Sequence, residues 1–239
     1  MRRTALLGLV FLAACTAPSL VPRAIRARGG PLPSLVRDVE TQVYAGFPDT
    51  WRWRTAFLAP DRYAWTIDTA GAPDHYLFDG AVVRAFVYDR EVSSDASPGA
   101  PLRTHARFTA VTNLDTLLLP AVRVASLAPA DLPPGVAAGV AATFVDDGSR
   151  YLIGVDEKSL VVWASGPVSF APFDGGEVMA RFTDFRRAGR WLLPYRTSYT
   201  LAGRPLADER VRAACPGVPL VAGMFRSPGL IPACPVAGE

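Results

Sequence analysis

The chain has 239 residues, of which 50% are hydrophobic and 20% are charged, and its formal net charge at pH 7 is +3. This length and apolar content allow one large domain, or two small ones, to bury a sizeable core. The charge is too small to favour nucleic acid as a partner, because nucleic-acid-binding domains present a strongly basic face to the phosphate backbone.

The N-terminus has the order of a bacterial export signal. Two arginines at positions 2 and 3 precede an apolar run over residues 6–12, which is too short to span the roughly 30 Å of a bilayer core. The next residues, Leu-Ala-Ala-Cys ending at Cys15, resemble a lipobox, the motif at which lipoprotein signal peptidase cuts. We predict that residues 1–14 are a signal peptide and that Cys15 carries acyl chains such as palmitate. An ordinary signal peptide with a chance cysteine is the alternative.

Residues 15–30 are predicted to be the lipidated N-terminus and a flexible tether. Two prolines, several arginines and a Gly-Gly pair at positions 29–30 favour an irregular linker there. Two or more acyl chains anchor a protein stably, so we expect attachment to a membrane through Cys15. Thr16 stands where aspartate would retain a lipoprotein in the inner membrane of some bacteria, which favours the periplasmic face of the outer membrane.

A helix is predicted directly after the tether. Apolar residues recur there with spacings of three and four, the pattern of one helical face. These residues are Leu32, Leu35, Val36, Val39, Val43 and Phe47. The charged residues Arg37, Asp38 and Glu40 fall elsewhere around the same predicted helix.

Residues 50–90 predict a four-stranded antiparallel meander, because the apolar period changes there from 3.6 to 2. Turn signals separate the strands at Ala59-Pro60-Asp61 and at Asp79-Gly80. Large apolar residues alternate with polar ones, so Arg52 and Arg54 should lie on the face opposite to Trp51 and Trp53.

Six further strands are predicted in the second half of the chain, joined by hairpin turns. They cover residues 141–145, 150–155, 160–165, 177–185, 191–201 and 205–213. An exposed loop rich in Ser, Asp, Pro and Gly is expected over 92–101, and a short helix capped by Asn113 is expected before Pro120. The whole chain thus predicts about ten antiparallel strands, one N-terminal helix and one or two short helices in the middle.

Cys215 and Cys234 are the cysteines that remain once Cys15 is acylated. An exported protein meets an oxidising compartment, so we expect the two to form a disulfide. The bridge would clip the proline-rich tail, residues 215–239, to the last strand. Two free thiols or a metal-binding pair are the alternatives, although neither has histidine or further cysteine ligands nearby in the sequence.

No sequence motif predicts catalysis, a metal or a cofactor. His75 and His105 are the only histidines, and neither has cysteine, histidine or carboxylate partners at metal-ligand spacing. The chain has no Gly-x-Ser-x-Gly elbow, no P-loop and no Gly-x-Gly-x-x-Gly after a strand. We therefore expect a protein that is not an enzyme, while a hydrolase site assembled from distant residues is a further hypothesis.

Three passages of the chain carry a family resemblance. Phe-Leu-Ala-Pro-Asp-Arg-Tyr at 57–63 forms a strand-turn-strand opening, and Tyr-Leu-Phe-Asp-Gly at 76–80 forms an Asp-Gly hairpin. Residues 184–199, with Trp-Leu-Leu-Pro at 191–194, form a late strand pair. In these passages, and in the order of elements over 32–214, the chain resembles the lipoprotein-carrier superfamily: the LolA and LolB proteins and other outer-membrane lipoprotein-sorting-like proteins.

The resemblance implies an α+β fold that is mostly β. A strongly curved antiparallel sheet of about ten strands, shaped as a half-barrel, would be closed by the N-terminal helix and the short middle helices. It would occupy residues 31–214. In the family, the concave hollow binds lipid acyl chains, or is filled by the protein itself in sensor and scaffold relatives.

Aromatic residues support such a hollow, since 11 of the chain's 24 lie between Tyr44 and Tyr88. Large rings with polar edges suit a surface that meets both acyl chains and water. The predicted lipid-binding residues are Trp51, Trp53, Phe57, Tyr63, Trp65, Ile67, Tyr76 and Phe78. An ordinary core beneath the predicted helix is the alternative interpretation of the same face.

Two functional hypotheses follow. In the first, a monomeric lipoprotein carries or accepts a lipid or an acylated protein in its concave apolar face. In the second, the hollow is filled and the protein is a non-catalytic scaffold or stress-sensing lipoprotein of the envelope. A contiguous open pocket or bound lipid would favour the first hypothesis, and a tightly filled interior without bound lipid would favour the second.

Overall fold

The computed structural model describes residues 17–44, 49–67, 73–97, 100–170 and 173–234. The predicted signal peptide, residues 1–14, and the predicted lipidation site, Cys15, lie outside these described residues.

The described residues form one antiparallel sheet of 13 strands, with two α-helices on one side of it. The helices are α1 (Ala17–Arg28) and α2 (Pro101–Thr112). The strands are β1 (Ser34–Val43), β2 (Asp49–Leu58), β3 (Arg62–Ile67), β4 (Asp74–Phe78), β5 (Val83–Val87), β6 (Arg90–Asp95), β7 (Val122–Ser126), β8 (Ala138–Phe144), β9 (Arg150–Val155), β10 (Val161–Phe170), β11 (Phe173–Ala188), β12 (Trp191–Leu201) and β13 (Arg204–Pro216). Short 3₁₀ turns cover Asp115–Leu118, Pro129–Asp131 and Ala222–Phe225.

Two meanders make up the sheet. Strands β1 to β6 follow one another in space, as do β7 to β13, and the pairing of β1 with β13 joins the two halves. The order places β6 and β7 at opposite edges, so the sheet stays open and forms a curved half-barrel. The predicted fold class is therefore confirmed, and the ten predicted strands correspond to β2–β5 and β8–β13.

The helix predicted from Leu32 to Phe47 is wrong where the structure describes it, because Ser34–Val43 forms strand β1, and Phe47 lies outside the described residues. At its N-terminal end this strand is buried on both faces, since Val36 lies beneath the C-terminal tail on the convex side and Val39 lies in the concave core. A strand buried on both faces loses the polar-apolar alternation that identifies strands in sequence. Its apolar spacing then matched a helical period by chance.

The flexible tether predicted for residues 16–30 is also wrong over most of its length. Ala17–Arg28 forms α1, which contacts β7, β8 and β12. Leu20, Val21 and Ala24 of this helix are buried in the main core.

The loop predicted at 92–101 contains regular structure at both of its ends. It includes the end of edge strand β6 and the first residue of α2, with Pro101 in the first helical turn.

Helix α2 covers the other part of the concave face. It contacts β10, β9, β4 and β2, and buries Leu102, Ala106 and Val111 among other residues. The short helix predicted before Pro120 is present as the 3₁₀ turn Asp115–Leu118, but Asn113 does not cap its start, because Asn113 is the C-cap of α2. Together with α1, these segments close the hollow from one side, as the resemblance implied.

The C-terminal tail covers part of the convex face. Its Leu220 and Phe225 pack with Val36, Ala56 and Leu77 in a second, smaller core. The predicted disulfide between Cys215 and Cys234 is present, with a Cα–Cα distance of 5.7 Å. It ties the tail to the end of β13, so the tail is an integral layer of the domain. No helix among the described residues has both the length and the apolar content to cross a bilayer.

Candidate functional site: the concave interior

The predicted aromatic face is assembled by the register of strands β2, β3 and β4. Trp53 pairs with Ile67, and Phe57 pairs with Tyr63, which in turn pairs with Phe78. Side chains at directly paired positions point to the same face of a sheet. The eight predicted residues therefore share the concave face: Trp51, Trp53, Phe57, Tyr63, Trp65, Ile67, Tyr76 and Phe78. Arg52 and Arg54 lie on the convex side, as predicted.

Most of this face is covered rather than open. Six of the eight residues are buried, and Trp51 and Tyr76 are partly buried against the same core. The rings of Trp53 and Trp65 lie 4.6 Å apart between centroids, and those of Trp65 and Tyr76 lie 5.7 Å apart. The aromatic face is thus the floor of the main core, which agrees with the alternative interpretation of a covered core as well as with a closed hollow.

Helix α2 places His105 onto this aromatic floor. Its ring stacks on Trp65 at 5.8 Å, and its Nε2 atom lies 3.2 Å from the hydroxyl oxygen of Tyr63. Burial lowers the pKa of His105 to about 4, so the imidazole is neutral at neutral pH. A neutral ring can pack in an apolar layer while keeping a hydrogen bond to Tyr63.

Two cavities formed by described residues lie under the helices. The α1 cavity has a volume of about 70 Å³ and is lined by residues that include Ala24, Arg28, Arg37, Phe108, Phe182 and Tyr199. The tryptophan cavity has a volume of about 30 Å³ and is lined by residues that include Thr41, Trp53, Trp65, Phe108, Tyr199 and Glu209. Phe108 and Tyr199 line both, so the cavities adjoin. Pockets for small-molecule ligands usually measure about 300–1,000 Å³, so the hollow is largely filled in this conformation.

Polar groups are buried inside this apolar hollow. The hydroxyl of Tyr199 donates a hydrogen bond of 2.9 Å to the Oε2 atom of Glu209, and burial raises the pKa of both groups. Thr41 Oγ1 and Trp53 Nε1 are buried and have no hydrogen-bond partner within the described residues. An unsatisfied buried polar atom costs free energy, so such atoms in a hollow are candidates for contact with a ligand.

Arg37 is the cation nearest to this polar cluster. It projects from the concave face of β1 into the α1 cavity, and its Nε atom donates to Thr55 Oγ1 at 3.3 Å. Its positive charge acts on Glu209, Tyr199 and His105. The helical interpretation placed Arg37 away from the apolar face, whereas the strand turns it inward.

Arginine contacts fix both covering helices. Arg28, at the end of α1, donates to Asp115 Oδ2 at 2.8 Å and to the backbone carbonyl oxygen of Asn113. Arg107 of α2 pairs with Asp146 and Asp147 in the β8–β9 turn, and its guanidinium lies over the Phe144 ring. Burial lowers the pKa of Arg28, which its contact with Asp115 opposes. These contacts tie the helices to the sheet and to one another.

A larger cavity lies on the convex face, between the sheet and the C-terminal tail. Its volume is about 750 Å³, and its lining includes Arg54, His75 and Ile231. Arg54 is paired there with Asp38 at 2.8 Å. This groove is more polar and more open than the interior, which makes it a poor match for an acyl chain. No group of three or more His, Cys, Asp or Glu side chains within the described ranges is arranged to hold a metal ion.

Sequence reasoning found the aromatic floor and missed the polar groups above it. On β1, Arg37 and Thr41 lie two residues before and after the inward-facing Val39, so they face the hollow as well. On β13, Glu209 lies midway between the inward-facing Ala207 and Val211 and also faces the hollow. A charged residue at an inward position of a strand is the signal that could have identified them. This signal cannot identify Arg37 when β1 is interpreted as a helix, because the helical period places Arg37 away from the apolar face.

Comparison with known proteins identifies the fold. No protein-family profile matches the chain, and no curated protein matches it. Among solved structures, a LolA superfamily protein from Nitrosomonas europaea matches with a TM-score of 0.54 at 13% identity, over 89% of this chain and 98% of that protein.

Two further structures agree with the first. An outer membrane lipoprotein-sorting protein domain from Vibrio parahaemolyticus matches with a TM-score of 0.57 at 10% identity, over 86% of this chain and 94% of that one. A DUF1329 family protein from Desulfovibrio piger matches with a TM-score of 0.52 at 11% identity, over 87% and 96% respectively. The chain therefore has a LolA-like fold.

Proposed function

We propose that the protein is a lipid-anchored lipoprotein on the periplasmic face of the bacterial outer membrane, whose concave interior takes up a lipid or a lipoprotein acyl chain. The observation that carries this proposal is the continuous aromatic floor beneath the two helices, with two adjoining cavities between floor and helices. The LolA-like fold and the lipobox-like sequence ending at Cys15 support it.

The described conformation is closed. An acyl chain needs more room than about 70 Å³ and about 30 Å³ provide, so its entry requires α1 or α2 to move away from the sheet. Each methylene that leaves water for the interior contributes about 0.8 kcal/mol of favourable transfer free energy, and these contributions add up along an acyl chain. Uptake is then driven by apolar burial and opposed by the contacts that hold the helices.

Native mass spectrometry of the full-length protein, extracted from bacterial membranes in a non-ionic detergent, tests uptake. We expect a non-covalent lipid adduct on the folded protein. Ala24→Phe is the matched variant, because Ala24 is 1% exposed and lines the α1 cavity, which a phenylalanine would fill. Loss of the adduct in a variant that still unfolds cooperatively supports uptake, and wild-type protein without any adduct overturns it.

Lipidation is tested on the same preparation. We expect the intact mass of the membrane-extracted protein to correspond to a chain that begins at Cys15 and carries acyl chains. Cys15→Ala should be neither cut at this position nor acylated, and should leave the outer-membrane fraction. A wild-type chain that begins elsewhere, or has no acyl mass, would contradict the anchoring part of the proposal.

The second candidate function is a scaffold or sensor lipoprotein with a filled hollow. The small volumes of the two cavities favour it, because aromatic side chains and the two helices already occupy the concave face. The two functions differ in one observable. A scaffold shows no lipid adduct, and filling the α1 cavity in Ala24→Phe should stabilise it without loss of any bound species.

A further inference from the structure

Arg37 differs from the other charged groups inside the hollow. Its Nε atom contacts Thr55 Oγ1, and this is the only hydrogen bond that its side chain makes with the described residues. No carboxylate in the described ranges forms an ion pair with it. The cationic end of Arg37 thus borders an otherwise largely apolar cavity without a counter-ion from the protein.

Arg28 provides the comparison within the same cavity. It also lines the α1 cavity, but Asp115 neutralises it at 2.8 Å, and its two terminal nitrogens also donate to the backbone carbonyl oxygens of Asn113 and Gly30. Arg37, in contrast, is half-buried and pairs with no carboxylate among the described residues.

Glu209 is a carboxyl group inside the hollow on which the charge of Arg37 acts, but its hydrogen bond is to Tyr199. It accepts the hydroxyl of Tyr199 at 2.9 Å and forms no ion pair with Arg37. Burial raises the pKa of Glu209, which favours its neutral form and weakens any compensation of the arginine. The guanidinium therefore remains available to an anion that enters from outside.

The chemistry of that anion follows from the guanidinium and its surroundings. The planar fork of arginine matches carboxylate and phosphate oxygens, and such charge-assisted hydrogen bonds strengthen away from water. Around it, Phe108, Phe182 and Leu193 offer apolar walls for the first carbons of a chain. Neutral esters and amides, the acyl linkages of a lipoprotein N-terminus, supply no charge to pair with Arg37.

We infer that the hollow selects an anionic amphiphile, either a fatty-acid carboxylate or an alkyl phosphate, whose charged group pairs with Arg37 while its chain extends over the aromatic floor. This inference rests on the proposed uptake of acyl chains and narrows it to acidic lipids. It assigns Arg37 as the residue that sets specificity.

A competition experiment tests the inference on the full-length protein in non-ionic detergent. Equimolar palmitic acid and methyl palmitate are added, and native mass spectrometry measures the two adducts in one sample. We expect the acid adduct to exceed the ester adduct about tenfold in wild type, and the ratio to approach one in Arg37→Met. Hexadecyl phosphate, added in a second sample, shows whether phosphate or carboxylate is preferred.

Arg52→Met is the matched control, because Arg52 lies on the neighbouring strand but faces outward, and it should keep the wild-type ratio. Arg37→Lys should keep a reduced preference, since it retains charge but loses the fork. Arg37→Gln replaces Arg37→Met if the latter does not unfold cooperatively. Equal binding of acid and ester by wild type overturns the inference and leaves acyl uptake intact, whereas no binding of any amphiphile overturns both.

Discussion

The guanidinium of Arg28 donates to the carboxylate of Asp115 at 2.8 Å, across a sequence separation of 87 residues. The same Oδ2 atom accepts the backbone N–H of Leu32 at 2.8 Å. Asp115 thereby connects the end of α1, the start of β1 and the 3₁₀ turn that follows α2. This contact joins the covering segments of the hollow, so its loss should affect both stability and opening.

Asp115→Ala is predicted to lower the free energy of unfolding by about 3 kcal/mol, because it leaves the Arg28 charge buried without its partner. Urea unfolding of the full-length protein measures this change. Arg212→Ala, which removes the exposed pair with Glu40, is the control and should change stability little. Equal effects of the two substitutions would show that the buried contact does not fix α1.

Gly29→Ala is predicted to destabilise the end of α1 severely. Gly29 has a φ of +111°, and its N–H bonds to the carbonyl oxygen of Arg26 while Gly30 N–H bonds to that of Ile25, as in a Schellman cap. A Cβ at this position would overlap the backbone carbonyl of Arg190 and lie 3.0 Å from the Cα of Trp191.

The matched control for this substitution is Gly148→Ala. Gly148 also has a positive φ, of +72°, but a Cβ there meets nothing within 4 Å. It should cost only the backbone strain of about 1–2 kcal/mol. Thermal unfolding of both variants separates the cost of backbone strain from the cost of steric overlap. If Gly29→Ala loses no more stability than Gly148→Ala, the end of α1 does not approach the start of β12 as closely as described.

Glu209 should make stability depend on pH in a defined direction. Because its pKa is raised in the folded state, the folded protein holds this proton more tightly than the unfolded chain does. This contribution to stability is present below the unfolded pKa of about 4.3 and is lost as pH rises through the folded pKa.

Glu209→Gln removes that dependence while keeping an acceptor for Tyr199. We therefore expect the stability of Glu209→Gln relative to wild type to increase from pH 4 towards neutral pH and then to level off. Chemical unfolding at a series of pH values measures the difference. A difference that is flat with pH would show that Glu209 titrates normally in the folded protein.

The disulfide between Cys215 and Cys234 should stabilise the domain through the tail layer. The double variant Cys215→Ser/Cys234→Ser is predicted to lose about 3 kcal/mol of unfolding free energy, from the chain entropy of a loop of this length. We also expect faster proteolysis within the tail, whose Phe225 is otherwise buried against the sheet. A reductant should reproduce the loss in wild type and leave the double variant unchanged.

Predictability depended on how clearly polar and apolar residues alternate in each element. In β2 and β3, arginines alternate with large aromatic residues, as in Trp53–Arg54 and Arg62–Tyr63, so both strands were predicted. In β1, the inward-facing Arg37 and the buried, outward-facing Val36 break this alternation, so the strand was mistaken for a helix. Strand β6 is exposed along its whole length and has no apolar pattern to detect.

Helix α1 was missed for a different reason. Pro22 lies inside it, and Arg23, Arg26 and Arg28 give its short sequence the composition of a linker. Its helical state depends on burying Leu20, Val21, Ala24 and Ile25 against strands that are more than 90 residues away in sequence. Tertiary packing rather than local propensity therefore decides this segment, and local sequence reasoning cannot see it.

The position of α1 bears on how an amphiphile would pass between the bilayer and the hollow if Cys15 is the membrane anchor. Only Thr16 separates that cysteine from the first residue of the helix, and two extended residues reach about 7 Å. On an acylated chain, the segment that covers the hollow would stay next to the lipid headgroups. An amphiphile leaving the membrane could then reach the interior along a displaced α1, without crossing bulk water as a free molecule.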